Sequence, residues 1–387
     1  MKLIFAYLLR RFTTRFKTSK DQIYFKSLYT QNFTPHFINY DKLPTKMFSR
    51  FIIFFGIFFP TVLFAQWRLQ SSGTESSFRA ISAVNAKVVW ASGSQGTVLR
   101  TTDGGTTWNV IRVNGAEKLD FRGIKALDAQ NAIIVSAGLA EEGQAKIYRT
   151  TDAGNSWQLV WETSQKGVFL DGIAFWDSKN GVIFGDPIDN RLYLLKTADG
   201  GKTWERLSPA SLPSNLPNEA SFAASNSTMV VTGKNNIWIG SGGADRARVF
   251  FSPDRGLHWQ VTDTPMKADA SSGIFGLHFW DLKNGIAVGG NYKAEKGDFE
   301  NVIITQDGGK TWQKATATTP AGLKEAVAKL KNGWLVTVGP AGSAVSKDNA
   351  QTWQPLTDTP NGMHAMTCID NSCWTIGAKG QIAKIDF

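Results

Sequence analysis

The sequence predicts an all-β protein: a seven-bladed β-propeller of four-stranded antiparallel blades. Three observations lead there. An eight-residue phrase recurs six times along the 387 residues, its copies are nearly evenly spaced, and the two ends of the repeated region are incomplete in complementary ways. The composition agrees, with 37 Gly, 14 Trp and 25 Phe and no long stretch of helical periodicity, which suits short strands joined by tight turns.

The phrase is TTDGGTTW (Thr101 to Trp108), repeated as TTDAGNSW, TADGGKTW, SPDRGLHW, TQDGGKTW and SKDNAQTW. Its acids, Asp103, Asp152, Asp199, Asp254, Asp307 and Asp348, are separated by 49, 47, 55, 53 and 41 residues, a period that marks a propeller or a solenoid. Short β-type runs ahead of each copy decide between them. In the second repeat these are FRGI (Phe121 to Ile124) and IYRT (Ile147 to Thr150), and WQLV follows the box, so each repeat reads as four strands, one propeller blade.

The ends supply the seventh blade. After the last box, GMHAMTCIDNSCWTIGAKGQIAKIDF gives three strands and stops, while QWRLQ (Gln66 to Gln70) matches the strand type that follows a box. Pairing that first strand with the last three removes the seam that would leave unpaired edges.

Residues 66–387 are therefore the propeller. Upstream, the formal charge of +10 is concentrated in residues 1–50, where ten Lys or Arg oppose Asp21 and Asp41. That segment carries +8 and leaves +2 for the rest, so the basic balance gives no reason to expect a nucleic-acid surface. From Met47 the chain reads as a secretory signal: basic Lys46 and Arg50, an apolar run from Phe51 to Phe64, and a cleavage site after Ala65. A membrane anchor is the competing reading. The run is shorter than the roughly 20 residues a span needs, and Gly56 and Pro60 interrupt it. Residues 1–46 read as an over-extended frame or a basic extension, 47–65 as the signal. The expected location is outside the cytoplasm, periplasmic or extracellular. There Cys368 and Cys373, on either side of the turn residues Asp370, Asn371 and Ser372, would form a hairpin disulfide; two buried thiols are the alternative.

Within the box, a hydroxyl at the first position and Asp at the third cap the N–H groups of a turn. Gly at the fifth tolerates positive φ, and the Trp begins the outgoing strand. All these roles are local, so the six acids read as structural. The turn with Arg255 and His258 and the turn with Ala350 depart from the pattern and are expected to be looser. This motif resembles the Asp-box, or BNR repeat, over essentially all of residues 66–387. Together with the F-R-x-I strand openings and the export signal, it resembles the Ycf48-like photosystem II assembly factors. NEASFAAS (Asn218 to Ser225), GGADRARVF (Gly242 to Phe250) and SSGIFGLHFWD (Ser271 to Asp281) are similar to a bacterial subfamily of that group often labelled as oxidoreductases or glycosyl hydrolases.

The residues themselves give no redox site. There is no G-x-G-x-x-G and no C-x-x-C, and His36, His258, His278 and His364 have no metal-ligand spacing, so no cofactor and no metal is expected. A glycosidase reading is the alternative. Phe78-Arg79-Ala80-Ile81 resembles the F-R-I-P arginine motif of sialidases without its Pro, and Asp171, Asp186 and Glu219 are the acids to test for a carboxylate pair.

Aligning the innermost strands puts Arg79, Arg122, Asp171, Ala223, Phe275, Glu325 and His364 at equivalent places around the central channel. Arg79, Arg122, Asp171, Glu325 and His364 are the expected binding residues, with Arg246 and Arg248 adding to a basic face. A channel merely lined by solvated or mutually paired charges is the bland alternative. The implied function is a monomeric, non-catalytic scaffold for an envelope protein or complex, with a glycan as the other candidate partner.

Overall fold

The computed structural model describes residues 65–297, 300–315 and 320–387, all within the unit Phe64–Phe387, the second of the two into which the chain divides. Residues 1–46 and all of the signal segment except Ala65 lie outside the described residues.

Every repeat folds as a meander, because its apolar runs are short and Gly, Asn or Asp punctuates each gap. Blade 1 contains β2 (Phe78–Ala83), β3 (Val89–Gly93), β4 (Thr97–Thr101) and β5 (Asn109–Arg112). Blade 2 contains β6 (Asp120–Ala126), β7 (Ala132–Ala137), β8 (Lys146–Thr150) and β9 (Gln158–Glu162). Blade 3 has β10 (Leu170–Phe175), β11 (Gly181–Ile188), β12 (Arg191–Thr197) and β13 (Glu205–Arg206). In blade 4 come β14 (Met229–Thr232), β15 (Asn236–Gly240), β16 (Arg248–Ser252) and β17 (Gln260–Asp263). Blade 5 holds β18 (Ser272–Phe279), β19 (Gly285–Asn291), β20 (Val302–Thr305) and β21 (Gln313–Lys314). Blade 6 holds β22 (Ala326–Lys329), β23 (Leu335–Gly339), β24 (Gly342–Ser346) and β25 (Gln354–Pro355). Blade 7 takes β26 (Met363–Ile369), β27 (Ser372–Gly377) and β28 (Ile382–Asp386) from the end of the chain and β1 (Arg68–Gln70) from its beginning. The registers Arg68↔Lys384, Leu69↔Ala383 and Gln70↔Ile382 close the ring.

Hydrophobic layers between neighbouring blades hold the ring together, and the box tryptophans wedge into them. Trp157 of blade 2 packs with Trp90 of blade 1, ring centroids 6.4 Å apart and edge to face. Trp204 meets blade 2 side chains and Phe175, Trp259 the layer between blades 3 and 4, Trp312 that between 4 and 5, and Trp353 that between 5 and 6. Trp108 closes the layer between blades 7 and 1. Blade 7 has no box, yet its wedge is present: Trp67, just ahead of β1, is buried beside Val336, Val338 and Met363 and donates its indole N–H to Ser343 Oγ at 2.8 Å.

The six boxes share one hydrogen-bond pattern. The first hydroxyl donates to Asp Oδ1 at 2.8–2.9 Å and accepts the N–H of the fifth residue at 2.8–3.0 Å. The seventh residue's N–H donates to the same Oδ1 at 2.8–3.1 Å. The expected looseness of the two departing turns is not found. Arg255 (φ 60°) and Ala350 (φ 70°) adopt the left-handed conformation that glycine holds in other copies, and His258 Nδ1 replaces the usual hydroxyl on Asp254 Oδ2 at 2.5 Å. Cys368 and Cys373 are register partners on β26 and β27, their Cα atoms 4.1 Å apart, and are joined in a disulfide. Among the described residues no helix is long and apolar enough to cross a membrane.

Candidate functional site

Register places the boxes and the channel residues at opposite ends of each blade. In blade 1, Phe78 at the start of β2 pairs with Gly93, which pairs with Thr97. Ala83 at the far end of β2 pairs with Val89, which pairs with Thr101, where the box begins. Arg79 therefore sits at the end of the blade away from Asp103, and the six acids belong to the opposite face of the ring.

The channel residues share a local device that aims them inward. Ladder partners jump from Phe78↔Gly93 to Ala80↔Ser92, leaving Arg79 as the extra residue of a β-bulge. The same jump isolates Arg122, Asp171, Phe275 and His364 on the inner strands of blades 2, 3, 5 and 7. In blade 6, Glu325 N–H reaches Val338 O at 2.9 Å while Ala326 also pairs with Val338, so Glu325 too is one of two residues opposite one. A bulge turns its extra side chain out of the alternation of the strand, and here that points it to the channel.

Blade 4 departs from the rest. Ala223, expected on an inner strand, lies outside one: β14 begins only at Met229, and between Ala220 and Thr228, which still bond to Gly242 and Gly240 of blade 4, the chain leaves the blade and crosses the channel. Ser225 Oγ donates to Glu325 O at 2.6 Å in blade 6, and Asn226 Oδ1 accepts Ile173 N–H at 2.7 Å in blade 3. Asn226 Nδ2 also reaches Ile124 O at 3.5 Å in blade 2, and Leu277 N–H donates to Ser227 O in blade 5 at 2.8 Å. Gly172 makes room for this crossing; a Cβ there would lie 2.9 Å from Asn226 Oδ1.

The crossing segment and the bulge residues line a cavity of about 500 Å³. All seven aligned positions, Arg79, Arg122, Asp171, Ala223, Phe275, Glu325 and His364, line it, together with Asp186. One wall is aromatic: Phe222 stacks on Phe275 with centroids 4.1 Å apart, and Tyr292 meets Phe222 edge-on at 6.0 Å. Across from it the polar groups are unequally satisfied. Arg122 Nε pairs with Asp120 Oδ2 at 2.8 Å, and His364 Nδ1 with Glu325 Oε2 at 2.9 Å. Asp171 is 2% exposed, and neither of its carboxyl oxygens has a hydrogen-bond partner among the described residues; Asp186 Oδ1 is likewise unpartnered. Burial drives the Asp171 pKa well above the usual carboxylate range, with the charge of Asp186 adding to the rise and Arg122 opposing it. Asp186 rises to about 6, again through burial, against a hydrogen bond from the Ser221 backbone.

Glu219, the third acid singled out in the sequence, is not among the residues lining the cavity. Its buried carboxylate accepts from Arg248 Nε at 2.9 Å, Ser241 Oγ at 2.5 Å and Leu216 N–H at 2.8 Å, and forms an ion pair with Arg248 Nη2. Arg248 is thereby removed from the expected basic face, and Arg246 is held by Asp245 and Asp263, each at 3.1 Å. No sequence signal pairs Glu219 with a residue 29 positions away. Phe222 and Tyr292 were missed because they lie on connections between strands.

The fold and this site define the class: an Asp-box β-propeller with a cavity at the channel mouth opposite its boxes. Comparison with known families makes this more specific. The family model described as "Photosynthesis system II assembly factor YCF48" matches residues 64–172, and the BNR/Asp-box repeat matches residues 303–314. Among solved structures, Ycf48 from Cyanidioschyzon merolae overlays with a TM-score of 0.60 at 16% identity, covering 83% of this chain and 99% of that one. The GH74 xyloglucanase from Xanthomonas campestris overlays at 0.56 with 15% identity, over 82% of this chain and 53% of that one. The WD40 propeller of Doa1 also reaches 0.56, at 12% identity over 84% and 97%. No curated protein matches the sequence. The chain is therefore a seven-bladed propeller with Asp-box repeats, similar over residues 64–172 to the Ycf48 family.

Proposed function

We propose that the protein is an exported, non-catalytic propeller that binds and positions another protein, as an assembly scaffold would, taking part of that partner into the channel cavity. The observation carrying this reading is the convergence of bulge residues from six blades, and the crossing segment of the remaining one, on a single cavity. The Ycf48-like family is its second support, and the signal pattern at 47–65 supports export. The box acids are engaged by their own turns, which leaves Asp171 and Asp186 at the channel with unspent carboxyl oxygens.

The test is capture from the envelope fraction by immobilised wild-type protein, Arg79→Glu and, on the box face, Lys310→Glu. A specific partner retained by wild type and Lys310→Glu, and reduced at least about tenfold on Arg79→Glu, is the expected result. Equal retention by all three would place the interface elsewhere. Glycoside hydrolysis by the purified protein, abolished by Asp171→Asn, would overturn the non-catalytic reading in favour of a hydrolase.

A further inference from the structure

The feature that the scaffold reading does not absorb is the carboxyl pair of blade 3. A buried polar group is normally hydrogen-bonded, and leaving one unpaired costs its full desolvation penalty. Asp171 breaks that rule at both oxygens and Asp186 at one, although both line a cavity large enough to admit a side chain. Their placement is fixed by backbone: Asp171 is the bulge residue between Leu170 and Gly172, and Asp186 is anchored opposite Phe169 by an N–H···O bond of 3.0 Å.

We propose that Asp171 and Asp186 form a seat for a basic side chain, a guanidinium or an ammonium group, presented by the bound protein, with Phe222 and Tyr292 packing its hydrocarbon stem. This rests on the scaffold reading and names the chemistry its site recognises.

The charges around the pair favour a cation. Facing it are Arg122 with its partner Asp120 on β6, Arg79 on β2, Glu295 in the β19–β20 connection, and the Glu325–His364 pair of blades 6 and 7. Arg122 is matched by Asp120 and Glu325 by His364. Among the described residues Asp171, Asp186 and Glu295 then stand against Arg79 alone, an acidic excess once the pair ionises. Paired carboxyls accept the parallel N–H bonds of a guanidinium, and an aromatic wall covers the apolar stem of Arg or Lys.

Occupation is a proton-for-cation exchange. Burial raises the Asp171 pKa against the opposing charge of Arg122; an arriving cation favours the ionised carboxylate, so the proton that Asp171 carries in its neutral form leaves to solvent as the cation binds. With one proton released, affinity rises by up to about tenfold per pH unit until Asp171 ionises by itself.

The experiment is calorimetric titration of the purified protein with acetyl-Ala-Arg-Ala-amide and acetyl-Ala-Lys-Ala-amide, with acetyl-Ala-Gln-Ala-amide as the neutral probe, at pH 5.5 and 7.5. Buffers of different ionisation enthalpy count the protons released. Saturable binding of a basic probe, at least about tenfold tighter than the Gln probe, is expected, tightening at the higher pH with close to one proton released. Asp171→Asn and Asp186→Asn, each checked for an unchanged melting transition, should each lose about tenfold, while Glu325→Gln keeps the pH dependence. Equal binding of the Gln probe, or basic-probe binding untouched by both substitutions, overturns the seat. If basic probes fail while envelope capture still depends on Arg79, the seat falls and the scaffold stands; if they bind and no protein is captured, the scaffold falls and the seat stands.

Discussion

The carboxylates that recur in the box turns and the carboxyl pair of blade 3 in the channel are opposites. In the box turns every Asp is surrounded by donors: Thr107 gives Asp103 both its hydroxyl and its amide, Ser156 does the same for Asp152, and both acids are held at about 2. At Asp199, Asp254 and Asp307 slight burial works against the same bonds, which still hold the pKa at about 2. In the channel, Asp171 meets no donor and is pushed the other way by burial. Repetition of an acid around a ring is therefore no guide to its use. What distinguishes the box acids from Asp171 is whether the surrounding turn spends its donors on the carboxylate or burial leaves it with none among the described residues.

Acid should separate the two kinds most strongly. Five of the box acids, Asp103, Asp152, Asp199, Asp254 and Asp307, ionise at about 2 in the fold against an ordinary 3.8, so their contribution is fully present above about pH 4 and drains away as pH falls toward 2. Asp186, raised from 3.8 to about 6, acts in reverse, costing stability as pH rises from about 4 to 6. Melting temperature measured from pH 2 to 8 should climb steeply to about pH 4 and then lean downward. The double variant Asp171→Asn/Asp186→Asn should keep the climb and lose the decline; an unchanged decline would mean that other groups cause it.

Next in size is the box itself. Asp199→Ala strips the turn of a cap that serves Thr203 twice, and by analogy with helix caps it should cost about 1–2 kcal/mol in denaturant unfolding. Asp171→Asn removes a carboxyl that has no partner to lose, so its change at neutral pH should stay within about 1 kcal/mol and not be destabilising. A loss comparable to that of Asp199→Ala would reveal a structural partner for Asp171. The smallest effect belongs to Ala153, held at φ 64° where three other boxes have glycine. Ala153→Gly should gain about 0.5 kcal/mol, seen as a rise of about 1–2 °C in melting temperature.

The boxes were legible because their chemistry is local: hydroxyl, acid, glycine and tryptophan act within eight consecutive residues, and their spacing counts the blades. The channel ring was legible by the same periodicity, since alignment alone placed Arg79, Arg122 and Asp171 together. The bulge that turns them inward was not, because a bulge is a mismatch between two strands and neither strand carries it alone. Nor was the crossing of residues 221–227, whose small polar side chains resemble an inner strand in composition but bond to carbonyls and amides of four other blades. The pairing of Glu219 with Arg248 was illegible for a related reason: each is the other's long-range partner.

The shared construction of blade 7 bears on how the chain is made. Arg68 and Asp386, joined in an ion pair, are 318 positions apart. During synthesis β1 emerges first and has no partner until β28 is complete. For that whole interval the strand's open N–H and C=O groups are exposed to any other strand edge. Completion of the ring thus waits on the pairing with the greatest sequence separation, and a chain stalled before residue 382 has six blades, the β26–β27 pair and a β1 strand with nothing to join.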